Sequence, residues 1–536
     1  MKTLWRNALL MTMDDARSSA VFRGDLLVDG DTIVAVGDRG TVVAPGTATA
    51  ATATADGPAR IASAAPGAST ASDANPDCEV VDATGLLIVP GLVNAHMHSW
   101  ESLFRGTSER LPLELWTLET YPISGVAPMS PRLVYLRTLV AAMDSLKGGT
   151  TAVLDDVGEL PAQTEETLAA VFDAYDDIGI RATCTGGIAD VAFADRLPFS
   201  TELLSAEGIA ASRRAMPPSR QLIDAFVDFS ERAFRTQHGR AGGRLSYAIA
   251  PSAPQRSTDE LLLAADDLSR QHGSVLHLHL LETRLQAVMG RERYGTTIVE
   301  HLRTLGLLTD RTALAHAIWL GAGDIRMLGE SPATIIHNPV SNLKLGSGVF
   351  AWRGLHDAGA TVALGTDGTA SNDSLRMLDT VRSAALLHTV SGPDFAAWPS
   401  TDEVLRAATR GGAAAVHQAE TIGSLEVGKR ADFVVFDLTL STNFTPLNDA
   451  ARQLVFSENG SSIAEVWVNG ERVVENGRLT RIDERAVLAE FRELAAEYLA
   501  GHRQTVAQNR GAYSEAITRV YDRVQQGSWP EEEGSR

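Results

Sequence analysis

The chain has only two cysteines in 536 residues, Cys78 and Cys184. No disulfide framework can hold the fold, and a reducing, cytoplasmic setting is the expectation. Long apolar runs are also missing. The opening Met1-Lys2-Thr3-Leu4-Trp5-Arg6 leads into a short apolar stretch interrupted by Asp14 and Asp15. It is expected to be neither a signal peptide nor a membrane span. Basic residues are outnumbered, 47 Lys and Arg against 67 Asp and Glu, for a net charge of −20. Such a surface repels nucleic-acid backbones and anionic membranes, so the expected partner is a small molecule. With 44% hydrophobic and 21% charged residues, the composition is that of a soluble globular protein. The length suits one large domain and a smaller one.

What is present concentrates at Pro90-Gly91-Leu92-Val93-Asn94-Ala95-His96-Met97-His98. The segment continues the apolar run Leu86–Val89, which reads as a buried strand. Residues i and i+2 on a strand share a face, so two imidazoles are presented together where the strand ends. Side by side, they suit one metal ion.

Further β-branched runs lie near 150–155, 180–186, 244–250, 274–281, 312–319, 333–337 and 360–365, and most of the gaps carry helical patterns. The alternation predicts an α/β fold, a (β/α)8 TIM barrel at 86–420, whose active site gathers at the C-terminal strand ends. The hairpin pattern at 26–37 resembles those at 429–438 and 464–479. One small β-sandwich is therefore expected from both chain ends, residues 1–85 and 421–482. The Ala/Thr/Ser/Gly-rich tract 42–77 reads as a mobile insertion. The helical tail 483–536 reads as a packing or oligomer element, and a homo-oligomer is expected.

Taken in order, the strand ends deliver His96 and His98, then His279 with Glu282, then His316, then Asp367. His96, His98, His279 and Asp367 are the expected ligands of one divalent ion, zinc with iron as the alternative. Water on such an ion becomes acidic enough to give hydroxide near neutrality. Glu282 would shuttle its proton to the leaving group, and His316 would orient the hydroxide and stabilise oxyanion charge. His277, one layer deeper, is expected to support a ligand or simply fill the core.

These motifs, with Leu103-Phe104-Arg105-Gly106, His337-Asn338-Pro339-Val340-Ser341-Asn342 and Gly365-Thr366-Asp367-Gly368-Thr369-Ala370-Ser371-Asn372, resemble the amidohydrolase superfamily. The resemblance is to the branch of S-adenosylhomocysteine and methylthioadenosine deaminases, cytosine and guanine deaminases and triazine hydrolases, and covers about residues 20–480 apart from the insertion. It implies a barrel with a small β-domain, one zinc or iron ion, and hydrolysis at a carbon bonded to nitrogen. Dinuclear relatives bridge their metals with a strand-four lysine; Leu245–Ser252 has none, which favours one metal. Retention of Glu282 and Asp367 favours deamination of an amino-substituted nitrogen heterocycle. The alternative is a urea, carbamate or amide C–N bond, or a halogenated ring such as a triazine.

Relatives build the substrate pocket after strand one, which implies contributions from among Trp100, Glu101, Arg105, Trp116 and Tyr121. His337 either faces that pocket or anchors its loop. Ser371 either contacts the Asp367 carboxylate or substrate, or caps a helix. Adenosine-type deaminases carry a Gly-Pro-His-Ser-Pro-like segment after strand four. Here the run is Ala250-Pro251-Ser252-Ala253-Pro254, and no ribose-binding glutamate is evident near Tyr121–Ser124, which argues against an adenosyl substrate.

Overall fold

The computed structural model describes residues 2–42, 78–160 and 162–527. Apart from Val42, the tract read as a mobile insertion lies outside them. Among the described residues the strands form two sheets. One draws on both chain ends: β1 (Lys2–Met11), β2 (Val21–Asp29), β3 (Thr32–Asp38), β4 (Cys78–Asp82) and β5 (Leu86–Pro90) join β14 (Phe433–Asp437), β15 (Ile463–Val468), β16 (Glu471–Glu475) and β17 (Arg478–Leu479). The Asn469-Gly470 and Asn476-Gly477 pairs, all at positive φ, make the two tight hairpins of its C-terminal part.

The other sheet is the barrel. Its eight strands run in chain order: β6 (Leu92–Met97), β7 (Thr150–Asp155), β8 (Arg181–Gly187), β9 (Leu245–Ala250), β10 (Leu276–Leu280), β11 (Thr312–His316), β12 (Thr334–His337) and β13 (Thr361–Leu364). Every neighbouring pair is parallel. Helices such as Pro131–Lys147, Glu165–Ile178 and Asp259–His272 cover its outer face.

The apolar run from Leu86 into the Pro90–His98 segment, read as one strand, is two. Leu86–Pro90 pairs with β1 and β14 in the small sheet, and only Leu92–Met97 enters the barrel. Proline ends the first strand because it has no N–H for a further ladder bond. At Gly91 the chain passes so close to Thr151 that any Cβ would collide with that side chain.

Between β6 and β13 the barrel is closed by site residues. Asp367 donates its N–H to the His96 carbonyl at 2.9 Å. The Asn94 amide accepts from Thr366 N at 3.0 Å and donates to Thr366 Oγ1 at 2.7 Å. The seam that completes the barrel therefore also brings Asp367 to the histidines of β6.

The C-terminal helix Glu484–Gln526 packs on this same chain. It lies against the helices Leu113–Thr120, Pro131–Lys147 and Arg284–Tyr294. Val520 and Val524 are buried with Leu197, Leu285 and Val288. No helix among the described residues is long and apolar enough to cross a membrane.

Candidate metal centre and active site

Three imidazoles converge at the C-terminal mouth of the barrel. Nitrogens of His96, His98 and His279 lie within 4.8 Å of one another, and His96, His316 and Asp367 make an overlapping group. Asp367 Oδ1 stands 3.4 Å from His96 Nε2 and 3.3 Å from His98 Nε2. The Nε2 atoms of His98 and His279 are 3.4 Å apart.

The other edge of each ring is anchored. His98 Nδ1 donates to the Asp156 carbonyl at 2.8 Å, and His279 Nδ1 to the Ser252 carbonyl at 3.0 Å. His96 Nδ1 meets His277 Nε2 at 2.9 Å. The carbonyl acceptors hold a proton on Nδ1 and turn Nε2 of each ring toward the cluster, the orientation a metal ligand needs. His96 Nε2 is buried without a hydrogen-bond partner. His277 thus supports His96 from beneath.

Electrostatics agree with a cation here. Burial holds His96 well below the ordinary imidazole range and takes His279 down to about 4, so both rings are neutral. At His98 burial also opposes charge, but Asp367, Glu101 and Asp156 outweigh it and hold the ring up at about 9. Asp367 is kept ionised by His96, His316 and His98 despite its burial. Ser341 Oγ donates to its Oδ2 at 2.6 Å and Gly368 N to its Oδ1 at 2.8 Å.

Glu282 follows β10 and faces His316, with Oε2 3.7 Å from Nε2. Burial raises its carboxyl to about 7, with His316 pulling the other way. Around the site Ser252, Leu281, His316, Ala317 and Asp367, none of them glycine, all have positive φ. Left-handed backbone of this kind costs about 1–3 kcal/mol per residue and clusters at functional sites.

The residues expected to line the pocket divide. Tyr121 stands beside the cluster: its ring lies 6.4 Å from His98, and its hydroxyl donates to Glu101 Oε1 at 2.7 Å. Trp100 is fully buried and packs on Phe104 and Tyr121. Arg105 turns outward to Asp144 on the Pro131–Lys147 helix, at 2.8 Å, where its charge stays hydrated. His337 takes the anchoring role. It is fully buried, stacked 4.4 Å from Phe350, with Nε2 3.3 Å from His388 Nε2. Ser371 reaches neither carboxylate nor helix cap; its hydroxyl donates back to Gly368 O at 3.2 Å, and Ser341 holds Asp367 instead.

Two residues without an assigned role in the sequence reading belong to this site. Asp156, just beyond β7, orients His98 through its carbonyl and lies 3.8 Å from His279 Nδ1. Asn342 contacts His316 Nδ1 at 3.0 Å. The Asp155-Asp156 pair at a strand end was a visible signal for the first; only tertiary contact reveals the second.

The model of the Amidohydrolase family matches residues 87–473. The chain belongs to that family. It is 33% identical over 421 residues to a 5'-deoxyadenosine deaminase of Methanosarcina acetivorans, covering 78% of this chain and 88% of the relative. It is 34% identical over 494 residues to a 5-methylthioadenosine/S-adenosylhomocysteine deaminase of Nitratidesulfovibrio vulgaris, covering 92% and 96%. Among solved structures, an adenosine deaminase from Xanthomonas campestris with bound zinc superposes with a TM-score of 0.73 at 26% identity, over 93% of this chain and 98% of that one. The amidohydrolase is a hydrolase of carbon–nitrogen bonds. Its relatives and ligand cluster support a metal-dependent deaminase over an enzyme that cleaves ureas, amides or halides.

Proposed function

We propose that this amidohydrolase deaminates an amino-substituted nitrogen heterocycle at a single zinc ion held by His96, His98, His279 and Asp367. The observation that carries the reading is the convergence of three oriented imidazoles and one ionised carboxylate beside the Glu282–His316 pair. Zinc is favoured over iron because it accepts a mixed His/Asp set and is present in the similar adenosine deaminase. When bound, it would supply Lewis acidity that brings water to ionisation near neutral pH.

Glu282 takes the proton from the attacking water and delivers it to the departing amine. His316 stabilises the charge that develops on oxygen as the C–O bond forms. The C–N bond then breaks, ammonia leaves, and the ring carries oxygen where it carried nitrogen. Tyr121, supported by Trp100 and tied to Glu101, forms a wall of the substrate pocket.

The relatives' names put adenosine-type 6-aminopurines first among candidates, although the histidine expected in such enzymes after strand four is Ser252 here. Ammonia release by zinc-loaded enzyme from aminopurines, pterins, pyrimidines and triazines tests the reading. Amine or halide as the only released product would refute it. We also place the protein in the cytoplasm as a homo-oligomer. The two buried free cysteines support the first. Exposed Leu386, Val390 and Phe395 offer an apolar patch for the second.

A further inference from the structure

The N-terminal end of the barrel, opposite the metal-ligand cluster, holds a cavity of about 260 Å³. Arg181 opens β8 and Ser246 is the second residue of β9, so the length of a strand, about 20 Å, separates this cavity from the catalytic mouth. Its floor is buried, at Arg181 and Thr183, and its rim is exposed, at Gly242, Gly243 and His417. The two glycines have φ of 66° and 86°, and a Cβ on either would meet open space, so this part of the rim is bare backbone. No Asp or Glu lines the cavity, in a chain whose net charge is −20.

What faces the cavity is a surplus of donors. Arg181 gives Nε and Nη2 to the buried Asp432, at 2.7 and 3.1 Å. Its Nη1 has no hydrogen bond among the described residues, yet it is not sealed within protein, and the cavity is where it opens. Arg430 gives Nη1 to Asp31, and its Nε and Nη2 have no partner among the described residues. The hydroxyls of Thr183 and Ser246 are likewise without one.

His417 is an independent sign. It follows the short helix Gly412–Ala415 at φ 55°, its N–H bonded to the Ala414 carbonyl at 2.9 Å and the Gln418 N–H to the Ala413 carbonyl at 2.8 Å. A left-handed helix end of this kind is the usual place of glycine, and histidine there carries strain that glycine would not. The ring makes no hydrogen bond among the described residues and stands at the cavity instead. Strained residues gather at functional sites.

Two arginine forks with donors left over, hydroxyls on two strands and an imidazole from a third side suit a tetrahedral oxyanion, whose acceptors point several ways, better than a planar carboxylate. We infer that this cavity is a second ligand site, separate from the catalytic one, and that it binds a phosphate group, free or carried by a small polar molecule. Its floor joins the two sheets: Asp432 Oδ1 also accepts the Asn469 N–H at 2.7 Å, and the Asp432 carbonyl accepts the Gly91 N–H at 3.0 Å. The site does not depend on which reaction the metal centre performs.

Calorimetry of the zinc-loaded chain with sodium phosphate, ribose 5-phosphate and ribose tests the inference. One or both phosphate compounds should bind and ribose should not; the tighter of the two shows whether free phosphate or a phosphate ester is the ligand. At about a hundredfold excess over Kd, the bound compound should raise Tm by about 2 °C. His417→Gly removes the ring and the strain together, so it should keep the fold and weaken binding about threefold or more. Arg430→Gln should weaken it about tenfold. Both variants should hold as much zinc as the wild type. No binding of either phosphate compound would overturn the inference, as would equal binding of ribose and ribose 5-phosphate. Phosphate binding of wild-type strength in both variants would place the anion at the metal centre and overturn it too.

Discussion

His316 Nδ1 lies 3.0 Å from Asn342 Oδ1, and the Asn338 amide approaches the same nitrogen at 3.3 Å. Two side chains that follow β12, Asn338 just before the Pro339–Lys344 helix and Asn342 on it, bracket one edge of the ring and turn the other toward Glu282. Asn342→Ala should therefore lower kcat by about tenfold while KM changes little, because the ring keeps its place and loses its orientation. Steady-state kinetics on any confirmed substrate separates the two parameters; a change confined to KM would contradict this role.

As the proposed proton shuttle, Glu282 should set the acidic limb of the pH profile. Its carboxyl is raised by burial to about 7 and can accept a proton from water only when ionised. As pH falls through about 7, kcat/KM should drop, approaching tenfold per unit. Glu282→Gln should retain the metal and lose about 10²–10⁴-fold in kcat, the usual range for a general acid–base group. Any residual turnover in that variant should lack the limb. A wild-type profile flat from pH 5 to 8 would place the proton shuttle on another group.

Most of what positions this chemistry was legible before the fold was known, and the reason is geometric. A parallel barrel puts every strand end on one face, so polar residues after apolar runs meet whatever their separation in sequence. That logic leads to His96, His98, His279, Glu282, His316 and Asp367. It does not say which way a loop residue turns. Arg105 and Ser371 lie in motifs beside ligands, yet one faces Asp144 and the other its own turn. His337 ends a barrel strand but packs on Phe350, because alternation along β12 sends it outward. The division at Gly91 was hidden because both strands are apolar. The left-handed residues His316 and Asp367 carry no glycine to announce them.

Metal affinity should depend on residues beneath the ligands as well as on the ligands. His277→Asn removes the imidazole that meets His96 Nδ1, and should weaken zinc binding about 10–100-fold. Asp367→Ala removes the proposed carboxylate ligand while keeping the backbone bond to His96, and should leave the purified chain with well under one metal per chain. Elemental analysis after dialysis against a graded chelator series distinguishes the variants. Full occupancy in Asp367→Ala would strike that residue from the ligand set.

The C-terminal helix holds the segment just after Tyr121 in place. Asn509 on that helix accepts the Ser124 N–H at 3.1 Å and donates to the Ser124 carbonyl at 2.9 Å, holding the segment just after Tyr121 as a strand partner would. About two turns nearer the N-terminus, His502 contacts the Glu119 carbonyl through Nε2 at 3.0 Å. Asn509→Ala loses both bonds to Ser124, a local destabilisation of about 1–3 kcal/mol. Amide hydrogen exchange over residues 119–125 should accelerate correspondingly, and KM should rise about two- to tenfold as Tyr121 loses its fixed position. Protection unchanged over that segment would mean that apolar packing of the helix, through Val520 and Val524 at its far end, secures the wall without the asparagine.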